Sequence, residues 1–361
     1  MLRLKNGTFN LTSEHDGIQA ENDVLIENGT LTITSGGGSK NSTKIGVETE
    51  VFLKGKFMKP GEEQINIQGE EDVENTEDTA SYKAIKAQNN IDILGGKIKI
   101  NSADDSIHSN GALNIGSVTI KIDSGDDGIH ADDKLVIKDN AVIDITKSYE
   151  GIEANNIVID SGKINIVSND DGINVAGGAD ESSLMGRPGQ NSFSENSDTN
   201  LEINGGTIYV DSTGDGLDSN GSVYINGGII YVDGPTDGAN GALDYENKCL
   251  INGGELIAVG SAQMAQSISN DSKINCLNLN LSQIQSAETT ISITDSNNNE
   301  ILTYTPSKEY QSAVIATANL LTNETYNVNI NGNAYTSFTI TSIITTIGNN
   351  PGMGEMMGPR R

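Results

Sequence analysis

Asp126-Asp127-Gly128-Ile129-His130-Ala131 is one copy of a hexapeptide that returns along the chain. Asp104-Asp105-Ser106-Ile107-His108-Ser109 precedes it, and Tyr149-Glu150-Gly151-Ile152-Glu153-Ala154 follows. Next come Asp170-Asp171-Gly172-Ile173-Asn174-Val175 and Gly214-Asp215-Gly216-Leu217-Asp218-Ser219, while a fainter copy, His15-Asp16-Gly17-Ile18-Gln19-Ala20, stands near the start. The apolar residue falls at 107, 129, 152 and 173, in steps of 22, 23 and 21 residues. A period in that range is the mark of a solenoid, whose function lies in what its repeats align on the surface.

Outward from the hexapeptide, each repeat reads as three short strands. The first carries Gly-Ile-x-Ala or its variants. The second is Asn89–Leu94, Leu113–Ile115, Leu135–Ile137 or Ile157–Ile159, and the third is Lys97–Ile100, Val118–Ile122, Val142–Ile145 or Lys163–Val167. Gly, Asn, Asp and Ser separate them, residues that tolerate positive φ or bond their own backbone in turns. Two to five β-branched residues in period-2 alternation leave no room for a helix in the repeat. Helical arrays are thereby excluded, and the leucine-rich and calcium-nonapeptide patterns are absent. The expected fold is all-β, a parallel β-helix with inward ladders of Ile, Val and Leu about 4.8 Å apart.

The expected organisation is a parallel β-helix over 1–274, interrupted by loops near 36–80 and 177–200. Three superimposable copies, Asn204–Asp211, Asn226–Asp233 and Asn252–Val259, resume the array after the second loop. Residues 275–345 read as antiparallel strands forming a C-terminal cap or small sandwich, since a solenoid must cover its last repeat. The Gly-, Met- and Pro-containing tail, 346–361, reads as disordered.

Among 361 residues, 22 Lys and Arg face 50 Asp and Glu, a formal net charge of −28. That balance repels nucleic acid and anionic lipid and attracts cations, so nucleic acid is not an expected partner. No apolar run is long enough to span a bilayer. Met1–Gly7 reads as a strand and turn rather than a signal peptide. A cytosolic chain or one lacking its leader both remain open. Cys249 and Cys276 lie 27 residues apart, about one repeat. They are either disulfide-bonded across neighbouring coils or two buried free thiols.

Stacking converts each repeated acid into a column. Asp105, Asp127, Glu150, Asp171 and Asp215 form one, Asp104, Asp126 and Asp170 a second, and His108, His130, Glu153, Asn174 and Asp218 a third. Carboxylates about 4.8 Å apart repel each other, and Ca²⁺, a hard cation taking six to eight oxygens, would relieve that repulsion. The candidate metal ligands are Asp104, Asp105, Asp126, Asp127, Glu150, Glu153, Asp170, Asp171, Asp215 and Asp218. The competing reading has each Asp merely capping backbone N–H groups. His108 and His130 read as surface imidazoles near carboxylates, a transition-metal role being the weaker option. Lys121 and Lys147 point outward in no recognisable catalytic context.

Strand alternation sends Ile208, Val210, Ile230 and Val232 inward, so Tyr209 and Tyr231 point out on neighbouring coils, with Tyr224 outward on a second strand. Exposed rings with polar neighbours suit stacking on sugar faces; equally, C-terminal strands or the 177–200 loop could cover them.

The run Gly214–Ser222, then Gly234–Tyr245, then Ala258–Gln266, together with the Asp-Asp-Gly-Ile copies, resembles the bacterial carbohydrate-binding β-helix family. That family is typified by clostridial cell-surface proteins that bind cellulose and pectic polysaccharide. The resemblance spans roughly 1–340. It implies an extracellular or cell-surface, right-handed parallel β-helix with bound calcium. The chain also looks like the family-nine polysaccharide lyases, whose calcium is held by an Asp-Asp-x-x-Asp turn and an Asp one coil earlier. Asp126, Asp127 and Asp105 match that pattern, with His130 in the last Asp position. Asp170 and Asp171 match with Asn174 there, and Asp215 and Asp218 match with Gly214 in the first position. The lyase's catalytic lysine has no counterpart. The resulting expectation is a non-catalytic, monomeric, calcium-binding protein whose partner is cellulose and/or polygalacturonate. The alternatives are a calcium-dependent pectate lyase acting by β-elimination and a structural or adhesive surface protein.

Overall fold

The structure, a computed structural model, describes residues 1–42, 81–175 and 199–349. All but the last two residues of the expected 177–200 loop, most of the 36–80 loop and all but the start of the 346–361 tail lie outside the described residues; Asn200 already opens the strand Asn200–Ile203. Within them the chain is all-β, with one short 3-10 turn at Ser39–Asn41 and no α-helix.

Three parallel ladders carry the fold. In the first, short strands such as Ile85–Ala87, Ile107–Ser109 and Ile173–Val175 stack so that Ile85, Ile107, Ile129, Ile152, Ile173 and Leu217 are register partners in succession. In the second, Ile91, Leu113, Leu135, Ile157, Leu201 and Val223 do the same. In the third, Leu31, Ile98, Ile120, Ile143, Ile164, Ile208 and Ile230 align. These side chains are buried in one continuous core. Each contributes on the order of 1.5–3 kcal/mol through burial.

The strand breaks differ from expectation at the corners. Ile91–Ser102 and Leu113–Asp123 each run through the second and third ladders, because pairing continues round the bend at Gly95↔Ser117 and Gly96↔Val118. Glycine has two distinct roles. Gly96, Gly162, Gly206, Gly228 and Gly254 have positive φ, whereas the glycines of the hexapeptides do not. There the constraint is steric: a Cβ on Gly128 would sit 2.6 Å from the Gly151 carbonyl oxygen of the next repeat. Polar ladders line the outside. Asn252 Nδ2 donates to Asn226, Asn226 Nδ2 to Asn204 and Asn204 Nδ2 to Asp160.

The C-terminal region changes hand of pairing. Glu255–Gly260 pairs antiparallel with Tyr310–Thr317, which pairs antiparallel with Cys276–Gln285. Ile344–Ile347 joins Cys276–Gln285 in parallel, so strand structure reaches into the start of the expected tail. Glu300–Tyr304, Ile291–Asp295, Thr325–Ile330 and Asn333–Thr339 form a separate four-stranded antiparallel sheet over a second core. Cys249 and Cys276 are both buried free thiols, their pKa pushed up to about 12 by burial. The disulfide alternative is thereby removed. No helix among the described residues is long and apolar enough to cross a membrane.

Candidate functional site

The acid turns leave the third ladder and enter the first, and a buried serine fixes each entry. Ser124 Oγ donates to the carbonyls of Asp104 and Asp127, Ser168 Oγ to Asp170 and Ser212 Oγ to Gly214. Ser35, Ser102, Ser148 and the three just named are all buried at this corner, a column the acidic pattern had hidden.

The second Asp of a turn caps the next repeat with one oxygen. Asp105 Oδ1 accepts from Asp127 N at 3.1 Å, Asp171 Oδ1 from Asp215 N at 2.6 Å and Asp215 Oδ1 from Gly241 N at 2.5 Å. Capping therefore accounts for Oδ1 and leaves Oδ2 for another partner. At Asp105 that partner is internal. Lys83 Nζ lies 2.6 Å from Asp105 Oδ2 and 2.9 Å from Asp104 Oδ1, and His108 Nδ1 lies 2.7 Å from the same Asp105 oxygen. Burial opposes charge on both partners, but the pairing wins: Lys83 is held above its usual range and Asp105 well below.

One repeat on, His130 supplies the cation. Its Nδ1 lies 2.8 Å from Glu153 Oε2 and 3.4 Å from Asp127 Oδ2, and its Nε2 lies 2.9 Å from Asp132 Oδ1. Three carboxyl groups around the two ring nitrogens favour the doubly protonated ring, although burial, which is opposed by the bond to His130, pushes Glu153 itself up. Burial works against that charge, yet hydrogen bonds to Asp127, Asp132 and Glu153 raise the ring's pKa far above the usual histidine range. His108 and His130 stack with centroids 4.6 Å apart and planes 6° from parallel. Both are buried rather than at the surface. Ligand atoms of His108, His130 and Asp132 lie within 4.8 Å of one another, but a protonated His130 ring has no lone pair to offer a metal ion.

Further along the pattern changes. Among the described residues no Lys, Arg or His lies within ion-pair distance of Asp171, Asp215 or Asp218. Oxygens of these three lie within 4.8 Å of one another. Burial, then Asp170, Asp218 and Asp215, pushes Asp171 well up, and Asp218 is raised by burial, Asp215 and Asp244. Asp215 is pushed up to about 7, chiefly by burial. Burial and its neighbours Glu153 and Asp127 raise Glu150 similarly. Asn174, Asp218's ladder neighbour, donates Nδ2 to Glu150 at 2.8 Å while its buried Oδ1 has no hydrogen-bond partner. A cluster of hard oxygens with an amide oxygen left over fits a Ca²⁺-type ion.

Of the ten acids singled out from sequence, Asp104, Asp105 and Asp126 form one oxygen cluster, Asp127 and Glu153 join His130 in another, and Asp171, Asp215 and Asp218 form a third. The ladder through His108, His130, Glu153, Asn174 and Asp218 extends to Lys86 and Asp244, which the hexapeptide pattern did not reach. Lys121 pairs with Asp144 at 3.0 Å and Lys147 donates to the Ser39 carbonyl.

At the aromatic face Tyr209 and Tyr231 sit side by side in register, and the segment at Tyr304–Lys308 packs on them. Tyr231 stacks on Tyr304 at 5.0 Å, and Tyr209 hydroxyl bonds Asp233 at 2.9 Å and Ser307 at 3.0 Å. Both rings are half-buried against that C-terminal segment. Tyr224 stays half-exposed with Lys248 Nζ 5.4 Å from its ring centroid.

No curated protein and no solved structure matches the chain. A family model described as carbohydrate-binding domain-containing protein matches residues 1–128 and again 111–238. The two matches cover both groups of acid turns, from Asp104 to Asp218, and about two-thirds of the 361 residues. The chain belongs to the carbohydrate-binding domain-containing protein family.

Proposed function

We propose that the protein is a non-catalytic, extracellular or cell-surface binding protein for plant cell-wall polysaccharide, cellulose and/or polygalacturonate. It is built as a right-handed parallel β-helix and stabilised by calcium. The family membership carries the carbohydrate reading. Three parallel ladders with inward aliphatic columns support the β-helix. The contrast between acid turns supports the metal: Lys83 and His130 pair with the earlier ones, while Asp171, Asp215 and Asp218 make no ion pair among the described residues and hold their oxygens within 4.8 Å of one another, with the Asn174 Oδ1 left over. When bound, calcium would supply the charge that lets those carboxylates ionise together.

Tyr224, with Lys248 beside it, is the ring best placed for a neutral sugar face. Lys83, held protonated between two carboxylates, is a poor base for β-elimination. The test is affinity electrophoresis against polygalacturonate and a soluble cellulose derivative, with calcium or EDTA, following unsaturated uronate products in the same tubes. Retardation without products supports the proposal. Products would assign a lyase, and no retardation by any polysaccharide would leave a structural surface protein.

A further inference from the structure

Resting on that carbohydrate reading, we infer that the open sheet face bearing Lys97, Lys99, Lys121 and Lys163 docks a carboxylated polysaccharide by direct ion pairs, without a bridging metal ion. The third ladder places Lys97, Thr119, Val142 and Lys163 in one outward column and Lys99, Lys121, Asp144 and Asn165 in the next. The four lysines are exposed. In a chain of net charge −28, the strands from Lys97 to Ser168 on this ladder carry five lysines against Asp123 and Asp144. The repeated acid turns enter the first ladder, so their columns do not share this face with the four lysines.

Lys121 apart, these lysines make no ion pair among the described residues. Lysine on a sheet commonly blunts an edge strand, but these strands are paired on both sides. Lys99 and Lys121 are direct register partners, and like charges about 4.8 Å apart repel. Lys121 is answered by Asp144. Exposed Val142 and Val167 lie between them, and Thr30, Thr32 and Thr119 offer hydroxyls on the same flat surface. Lys99 and Lys121 one repeat apart, Lys97 and Lys163 at the two ends of the neighbouring column, hydroxyl donors and small apolar patches match a linear polymer that carries carboxylates along its length. Among the described residues the face stays open until Tyr209, where the C-terminal segment packs on the ladder.

The experiment compares the full chain with a Lys97→Gln, Lys99→Gln, Lys163→Gln variant, both in EDTA with circular dichroism confirming intact β structure. Polygalacturonate, its fully methyl-esterified form, a neutral glucan and single-stranded DNA are the probes. Polygalacturonate binding by the native chain should persist in EDTA, weaken with salt and fall about tenfold in the variant, as losing three exposed ion pairs predicts. The esterified polymer should not bind this face. Unchanged binding by the variant overturns the inference. So does loss of native binding in EDTA with the β signal intact, or DNA binding as tight as polygalacturonate. Binding of the neutral glucan alone overturns the inference and leaves the carbohydrate reading standing, whereas binding of no polysaccharide defeats both.

Discussion

Lys83 stands in the same column as Asp105, one repeat earlier, and its Nζ lies 2.6 Å from the Asp105 carboxylate. Both side chains are buried. Removing one member of such a pair strands the other charge away from water, at a cost of about 3–5 kcal/mol. Lys83→Met should therefore lower unfolding free energy by about that amount in urea titrations at neutral pH. Added calcium should recover part of the loss, since Asp104 and Asp105 would then resemble the unanswered cluster. Lys97→Gln, on the exposed face, should stay within about 0.5 kcal/mol of the parent.

The cluster of Asp171, Asp215 and Asp218 makes a pH prediction with a definite sign. Their folded pKa values are raised, to about 7 for Asp215, against about 3.9 for an unfolded aspartate. The native state then binds more protons, so the stability these groups contribute is full below about pH 4 and is lost as pH rises toward 7. In chelator, thermal unfolding midpoints should fall across that window, and Asp215→Asn should flatten the slope. With excess calcium the fall should vanish in the native chain, because the ion favours the charged form. A slope unchanged by Asp215→Asn would remove this cluster as its cause.

The aliphatic ladders were legible because a repeat of about 22 residues places each Ile above the last, and burial then selects the alternation. The acid columns were legible for the same reason, and their register agrees with the ladders from His108 to Asp218. Lys83 was missed because the hexapeptide search looked for acids. Stepping two residues back from Ile85, the register partner of Ile107, would have found it. Cover over Tyr209 by C-terminal strands was one of the readings the sequence left open, and the choice could not be made from it. Ser307 arrives from 98 residues further along, and no local pattern encodes where a distant turn will pack.

The hexapeptide glycine has a steric rather than conformational reason, and that can be tested. A Cβ on Gly172 would collide with the Val210 side chain and lie 2.7 Å from the Gly216 carbonyl oxygen, with ordinary φ. Backbone cannot yield without disturbing the parallel pairing on both sides. Gly172→Ala should therefore destabilise by about 1–3 kcal/mol as an overpacked site, read as a lower urea midpoint at unchanged slope. A neutral or stabilising Gly172→Ala, the outcome expected if unfolded-chain entropy dominated, would contradict the close approach.

Asp233 ties the C-terminal segment to the third ladder. It is buried, and its carboxylate accepts from Tyr304 hydroxyl, Ser307 N and Ser307 Oγ, each at 2.7 Å, and from Tyr209 hydroxyl at 2.9 Å. Hydrogen bonds to a charged group contribute roughly 1.5–3 kcal/mol each when their loss leaves partners unmet. Asp233→Ala should loosen the segment around Tyr304–Lys308 first, since that segment is then held by the stacking of Tyr304 on Tyr231, the Ser307–Tyr209 hydroxyl contact and Lys308 on Asp211 and the Ser212 carbonyl. Hydrogen exchange should rise at Glu300–Tyr304 while the amides of Ile129–Ile137 stay protected, because the ladder core does not depend on that contact. Uniform loss of protection along the whole chain would instead mean that the two cores unfold as one unit. Unchanged protection at Glu300–Tyr304 would show that the stacking of Tyr231 on Tyr304 suffices without the carboxylate.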